Sequence, residues 1–227
     1  MTPALLAALA SALDLTADEA AGLELVVHVS ASGRSHVEPG LRLFAYRGAT
    51  PLASVKRLAR PSDATRARLL DCYARLADCQ AFRVPSLLGW GADDVHLYVV
   101  ESLVPGHSLA EQLGRGTLAA EEATARLSAV LAALWERGVP ATAEEIGRHA
   151  AILQHTAATV FADQRARDLV GAVLDILRAQ HPTTLRRVLT TRDVHVANVH
   201  VDADGQTWLT DFDLTDEVVF GLDVVRT

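Results

Sequence analysis

The apolar positions of the chain change their period twice. Leu5, Leu6, Leu9 and Leu13 recur at helical spacing, which predicts a short helix over Pro3–Leu15 that covers an edge of the strand-forming region after it. From Leu23 the period shortens. Leu23–Val29, Leu41–Tyr46 and Leu52–Leu58 are short runs rich in β-branched or aromatic residues, punctuated at Ser32-Gly33, Pro39-Gly40 and Gly48, and they predict three consecutive antiparallel strands. After Pro61, Ser62 is placed to cap a helix in which Leu69, Leu70, Tyr73 and Leu76 form a stripe up to about Cys79. Two further strands, Ser86–Trp90 and His96–Ser102, come next around a turn at Gly91, Asp93 and Asp94.

Beyond a hinge at Leu103–Pro105 the pattern becomes helical, with segments Ser108–Leu113, Ala119–Arg137, Ala143–Gln154 and Ala157–Ala179. Gly114, Gly116, Gly138 with Pro140, and Pro182 mark the breaks. Leu127, Val130, Leu131 and Leu134 make the strongest apolar stripe and predict a central helix. A hairpin is expected from Val199–Val201 and Thr207–Thr210 around Asp202, Asp204 and Gly205. The expected organisation is a sheet-bearing lobe over residues 1–103 and a mainly helical lobe over 104–227, without internal repeats or low-complexity linkers.

Composition adds limits to that picture. Half of the 227 residues are apolar, enough for a sizeable core. Aromatic residues are few and Ala and Leu abundant, which favours an aliphatic, helix-rich interior. A net charge of −7 argues against broad contact with nucleic acid or an anionic membrane. The apolar start MTPALLAALASALDL has no Lys or Arg ahead of it and is interrupted by Asp14, so no secretory signal is expected. No apolar run reaches the ~18 residues that a membrane span requires. Cys72 and Cys79, about two helical turns apart, read as reduced thiols. The expected setting is the cytoplasm.

The segment TRDVHVANVHVDADGQTWLTDFD, Thr191 to Asp213, carries the chemistry. Asp193 and Asn198 bracket a short loop, and Asp211 emerges after the hairpin beside Phe212. Phosphoryl transfer needs a carboxylate to orient the acceptor hydroxyl and take its proton, and oxygen ligands to hold Mg²⁺ against phosphates. Asp193 suits the first task; Asn198 and Asp211 suit the second.

In these residues the chain resembles the aminoglycoside phosphotransferase and choline kinase group, distant relatives of protein kinases, whose loop reads His-Gly-Asp-x-His-x-x-Asn. Asp193, His195 and Asn198 match that pattern, and Asp211-Phe212-Asp213 matches the magnesium motif. YVVESLVPGHSL, Tyr98 to Leu109, is similar to the family's last strand, hinge and first small helix. The resemblance implies an α+β, bilobal protein-kinase-like fold: a five-stranded antiparallel sheet with one helix, then a mainly helical lobe, here truncated at its C-terminal end. It further implies ATP and Mg²⁺ as cofactors, Lys56 as the phosphate-holding lysine of the third strand, and the backbone around Glu101 and Leu103 as the adenine edge. The turn from Ser30 to Ser35, with Ser32 and Gly33, would cover the phosphates.

Several residues depart from the family's pattern. Thr191 stands where the family has a loop-bracing histidine, and the phosphate turn has one glycine. No Glu occurs between Lys56 and Glu101, so the lysine's partner on the following helix is assigned to Asp71, with Asp63 and Asp78 as rivals. Asp71 reads equally well as a solvated helix acid. His195 reads as a loop organiser in preference to a metal ligand paired with His200. Asp223 in GLDVVRT matches a loop-supporting aspartate at the start of the next helix. The expected activity is ATP-dependent phosphorylation of a small-molecule hydroxyl: an amino sugar, sugar, choline-like alcohol or antibiotic. The alternatives are a nucleotide-binding pseudokinase and, ranked last, a protein Ser/Thr kinase.

Overall fold

The computed structural model describes residues 1–29, 41–59, 63–137, 139–140, 142–160, 163–179, 186–190, 194–211 and 216–219. In chain order its elements are α1 (Pro3–Ala12), α2 (Ala17–Ala21), β1 (Glu24–Val29), β2 (Leu41–Arg47), β3 (Thr50–Ala59), α3 (Asp63–Ala77), β4 (Leu87–Ala92), β5 (His96–Glu101), β6 (His107–Ser108), α4 (Leu109–Gly114), α5 (Ala120–Glu136), β7 (Val139–Pro140), α6 (Ala143–Val160), α7 (Gln164–Ala179), β8 (Arg186–Thr190), β9 (Val199–Val201), β10 (Thr207–Leu209) and β11 (Asp216–Val219). The fold is α+β and of the bilobal kinase-like kind. Met1–His107 with His200–Thr210 forms one compact unit, and Ser108–Val199 with Asp211–Thr227 the other.

The first unit is built on a five-stranded sheet of order β1-β2-β3-β5-β4, antiparallel throughout. Alternation along its strands sends Leu43, Ala45, Ala53, Val55, Tyr98 and Val100 to one face, where they pack with Leu5, Ala8 and Leu9 of α1. Each fully buried leucine there contributes about 2 kcal/mol. α1 starts cleanly because Pro3 occupies its first turn and the Thr2 hydroxyl accepts from the Leu5 N–H at 3.3 Å. It lies flush on β4. A Cβ at Gly91 would stand 2.7 Å from the Ala4 carbonyl oxygen, so only a bare backbone permits this approach. α3 buries Leu69, Cys72, Tyr73 and Leu76, and Tyr73 reaches the other face of the sheet to bond Glu101.

From His200 onward the β9–β10 hairpin belongs to the same unit. Its turn is organised by Asp202, whose carboxylate accepts from the Asp204 and Gln206 N–H groups and from Trp208 Nε1–H. The Trp208 bond, together with those backbone bonds, holds the Asp202 carboxyl below its ordinary pKa. The hairpin is fastened to the chain before β4: Arg83 N–H donates to Thr207 O and Leu209 N–H donates to Arg83 O, both at 2.8 Å. At the other end Gly106, with φ +80°, presses so close to β9 that an added Cβ would lie 2.0 Å from the Val201 oxygen. Gly106→Ala combines this clash with a left-handed backbone and is expected to destabilise the protein by about 3 kcal/mol in urea unfolding. An unchanged unfolding midpoint would show that the approach is not tight.

In the second unit α5 buries Ala123, Val130, Ala133 and Leu134, in line with the stripe expected from sequence. α6 and α7 share a cluster of Ala150, Leu153, Ala157, Val170 and Leu174. The expected break at residues 155–156 is not there. α6 continues to Val160, since His155 and Thr156 contain no helix breaker, and Asp163 opens α7 by accepting from the Arg165 N–H at 3.0 Å. Three features are not anticipated by the sequence pattern: α2, started by a Thr16–Glu19 capping box, the two-residue β6, and a small sheet of order β11-β8-β7. The helix expected to start in GLDVVRT lies outside the described residues. Among the described residues no helix is long and apolar enough to cross a membrane.

Candidate functional site

The register of the central strands assembles a charged cluster inside the first unit. Arg42 on β2 pairs with Lys56 on β3, Lys56 with Val99 and Ser54 with Glu101 on β5. Arg42, Ser54, Lys56 and Glu101 lie on the face that α3 meets. Lys56 Nζ stands 3.2 Å from Glu101 Oε1, and Arg42 Nη1 stands 3.5 Å from Oε2. Ser54 Oγ is also 3.5 Å from Oε2, and the Tyr73 hydroxyl donates to Oε1. The Glu101 side chain is 0% exposed and that of Lys56 5%. A carboxylate so buried persists only with compensating charge and hydrogen bonds, and here it has two cations and two hydroxyls.

This arrangement corrects the expected partner of Lys56. Asp71 is 61% exposed and its carboxylate meets Arg75 at 3.6 Å, one turn along α3, so it stands on the solvent side. Lys56 pairs with Glu101. α3 contributes the hydroxyl of Tyr73, two residues on and a different face around. The expectation for Glu101 concerns its backbone, at the nucleotide edge; its side chain is the hub of the cluster. Leu103 comes next, half-buried, in the non-regular segment between β5 and β6. Ser32 and Gly33 lie outside the described residues.

The second unit carries Asn198 and Asp211. Asn198 is 7% exposed and ends a tight turn in which its N–H donates to the His195 carbonyl at 2.9 Å. His195 Nδ1 accepts from the Ala197 N–H at 3.1 Å, so this histidine organises the loop through backbone, in keeping with its place in the motif. The Ala110 N–H of α4 donates to Val196 O at 2.9 Å and fixes the outside of the turn. Asp211 is half-buried and holds φ +55°. That left-handed backbone costs about 1 kcal/mol for a side chain other than glycine, less for Asp than for most. Asp14 has the same conformation at the end of α1, so the backbone alone marks no site. Asp193, the expected base, lies outside the described residues, as do Thr191 and Phe212-Asp213.

The model of the phosphotransferase enzyme family matches residues 46–225, well over half of the chain. The chain belongs to this family, the aminoglycoside phosphotransferase and choline kinase-like group. No curated protein matches it. The matched span of this phosphotransferase takes in Lys56, Glu101, Asp193, Asn198 and Asp211, whereas α1, β1 and Arg42 precede it. Sequence reasoning misses Glu101 as the lysine's partner and Arg42 altogether. Both are detectable in principle: once β3 and β5 are aligned, strand parity puts Ser54, Lys56 and Glu101 on one face.

Proposed function

We propose that this phosphotransferase uses ATP and Mg²⁺ to phosphorylate a hydroxyl of a small molecule, such as an amino sugar, sugar, choline-like alcohol or antibiotic. The observation that carries this reading is the buried Lys56–Glu101 pair at 3.2 Å. A lysine fixed at that place on β3 holds its charge in one position for the α and β phosphates. Asn198 and Asp211 offer one amide oxygen and one carboxylate. Such hard oxygen donors suit Mg²⁺, which takes few protein ligands and completes its shell with water and phosphate oxygens. The bound ion would neutralise charge on the phosphates. Asp193 orients the acceptor hydroxyl and receives its proton as the new O–P bond forms. The bond between the γ-phosphorus and its bridging oxygen breaks, and ADP leaves.

Calorimetric titration with ATP, with Mg²⁺ and with EDTA, tests the reading. Wild-type protein is expected to bind MgATP, and Asp211→Asn to weaken the Mg²⁺-dependent part of that affinity about tenfold. No binding of MgATP, or equal binding with and without Mg²⁺, would overturn it. A second reading, a pseudokinase, draws support from the lysine pairing with β5 in place of an acid on α3. Nucleotide binding without transfer to any hydroxyl in an acceptor panel selects it.

A further inference from the structure

Two donors from different elements converge on one oxygen of Glu101. Lys56 Nζ of β3 stands 3.2 Å from Oε1, and the hydroxyl of Tyr73 on α3 donates to that same atom. Ser54 and Arg42 face the other oxygen, each 3.5 Å from Oε2. The torsion that turns a glutamate's carboxylate is broad, so its rotamer alone does not decide where the oxygens point. Hydrogen bonds decide it, and Tyr73 supplies one from α3. The tyrosine is a firm strut. It is buried in the stripe of Leu69, Cys72 and Leu76, and only two torsions separate its ring from the backbone. The acids of α3, Asp63 and Asp71, are exposed and meet Arg66 and Arg75, so towards Glu101 the helix presents a hydroxyl.

We propose that Tyr73 is a positioning residue for Lys56: through Oε1 of Glu101 it ties the place of the phosphate-holding ammonium to α3, so that α3 and the phosphates of a bound nucleotide are coupled. The inference rests on the proposed nucleotide-binding function and adds a residue and a coupled helix to it. Tyr73 acts through Glu101 and not on phosphate. Its hydroxyl keeps Oε1 turned to Lys56, whereas a carboxylate without that bond swings more freely and holds the ammonium less firmly. Coupling of this kind is reciprocal, so phosphates that hold Lys56 also steady α3.

Affinities for MgATP and for adenosine, measured side by side, isolate the phosphate contribution. Tyr73→Phe keeps the ring, removes the hydroxyl, and is expected to weaken MgATP about threefold while adenosine stays unchanged. Tyr98→Phe is the control. It removes another buried tyrosine hydroxyl, one that donates to Asp93 at 2.9 Å, from the opposite face of the same sheet. That variant is expected to lower the urea midpoint and leave the MgATP-to-adenosine ratio unaltered, as a purely structural loss would. Hydrogen exchange gives a second readout: in wild-type protein MgATP is expected to slow the amides of α3 about threefold more than adenosine does, and in Tyr73→Phe the difference disappears. If Tyr73→Phe does not fold, the wild-type comparison decides. The proposal is overturned if Tyr73→Phe keeps the wild-type ratio, if Tyr98→Phe lowers it equally, or if MgATP and adenosine protect α3 alike in wild-type protein. Wild-type protein that does not bind MgATP overturns the nucleotide-binding reading, and this inference with it.

Discussion

Glu101→Ala is expected to destabilise the protein by about 3–5 kcal/mol, a large part of the stability of a small domain. The carboxylate is fully buried with Lys56 and Arg42 both drawn towards it. Removing it leaves two cations together in a poorly solvated place, and the Tyr73 and Ser54 hydroxyls lose an acceptor. Lys56→Met should cost less, because Arg42 still compensates the carboxylate. This asymmetry is the useful signature. Urea unfolding of both variants measures it, and a Glu101→Ala midpoint matching wild type, or a larger loss from Lys56→Met, contradicts the assigned hub.

Asp193→Asn is expected to lower phosphate transfer by about a thousandfold while MgATP affinity stays within about twofold. The amide keeps the size of the carboxylate but cannot accept the acceptor's proton, so the loss belongs in kcat and not in nucleotide binding. Single-turnover transfer to a responsive acceptor, beside calorimetric MgATP titration, separates the two. Transfer at the wild-type rate would remove Asp193 from the role of base.

Much of the first unit is legible in the sequence because its strands obey simple alternation between clear turn signals. The five strands lie within a few residues of their expected limits, and the Asp202 to Gly205 turn marks the hairpin. Where the pattern misleads, the cause is local competition or tertiary context. The start of α2 is written in Thr16 and Glu19 but merges with the preceding apolar run. The α6–α7 break is hard to place because it has no glycine or proline. β7, β8 and β11 are short, and β8 opens with two arginines, so their pairing is set by partners distant in sequence. Distance along the chain from Lys56 favours Asp71, whereas strand register decides the matter. The roles of Asp193, Asn198 and Asp211 rest on other grounds, the proposed need of phosphoryl transfer for a carboxylate and for oxygen ligands, and Asp193 lies outside the described residues.

The fastening of β10 to Arg83 bears on how the polypeptide is made. The hydrogen bonds that hold Arg83 come from Thr207 and Leu209, and the close fit at Gly106 needs the carbonyl of Val201. The ribosome delivers these residues roughly a hundred positions after the hinge, which at about 5–20 residues per second is a delay on the order of ten seconds. Until then the nascent sheet has strands but no clasp, and a fragment released at His107 would keep that unfinished rim permanently.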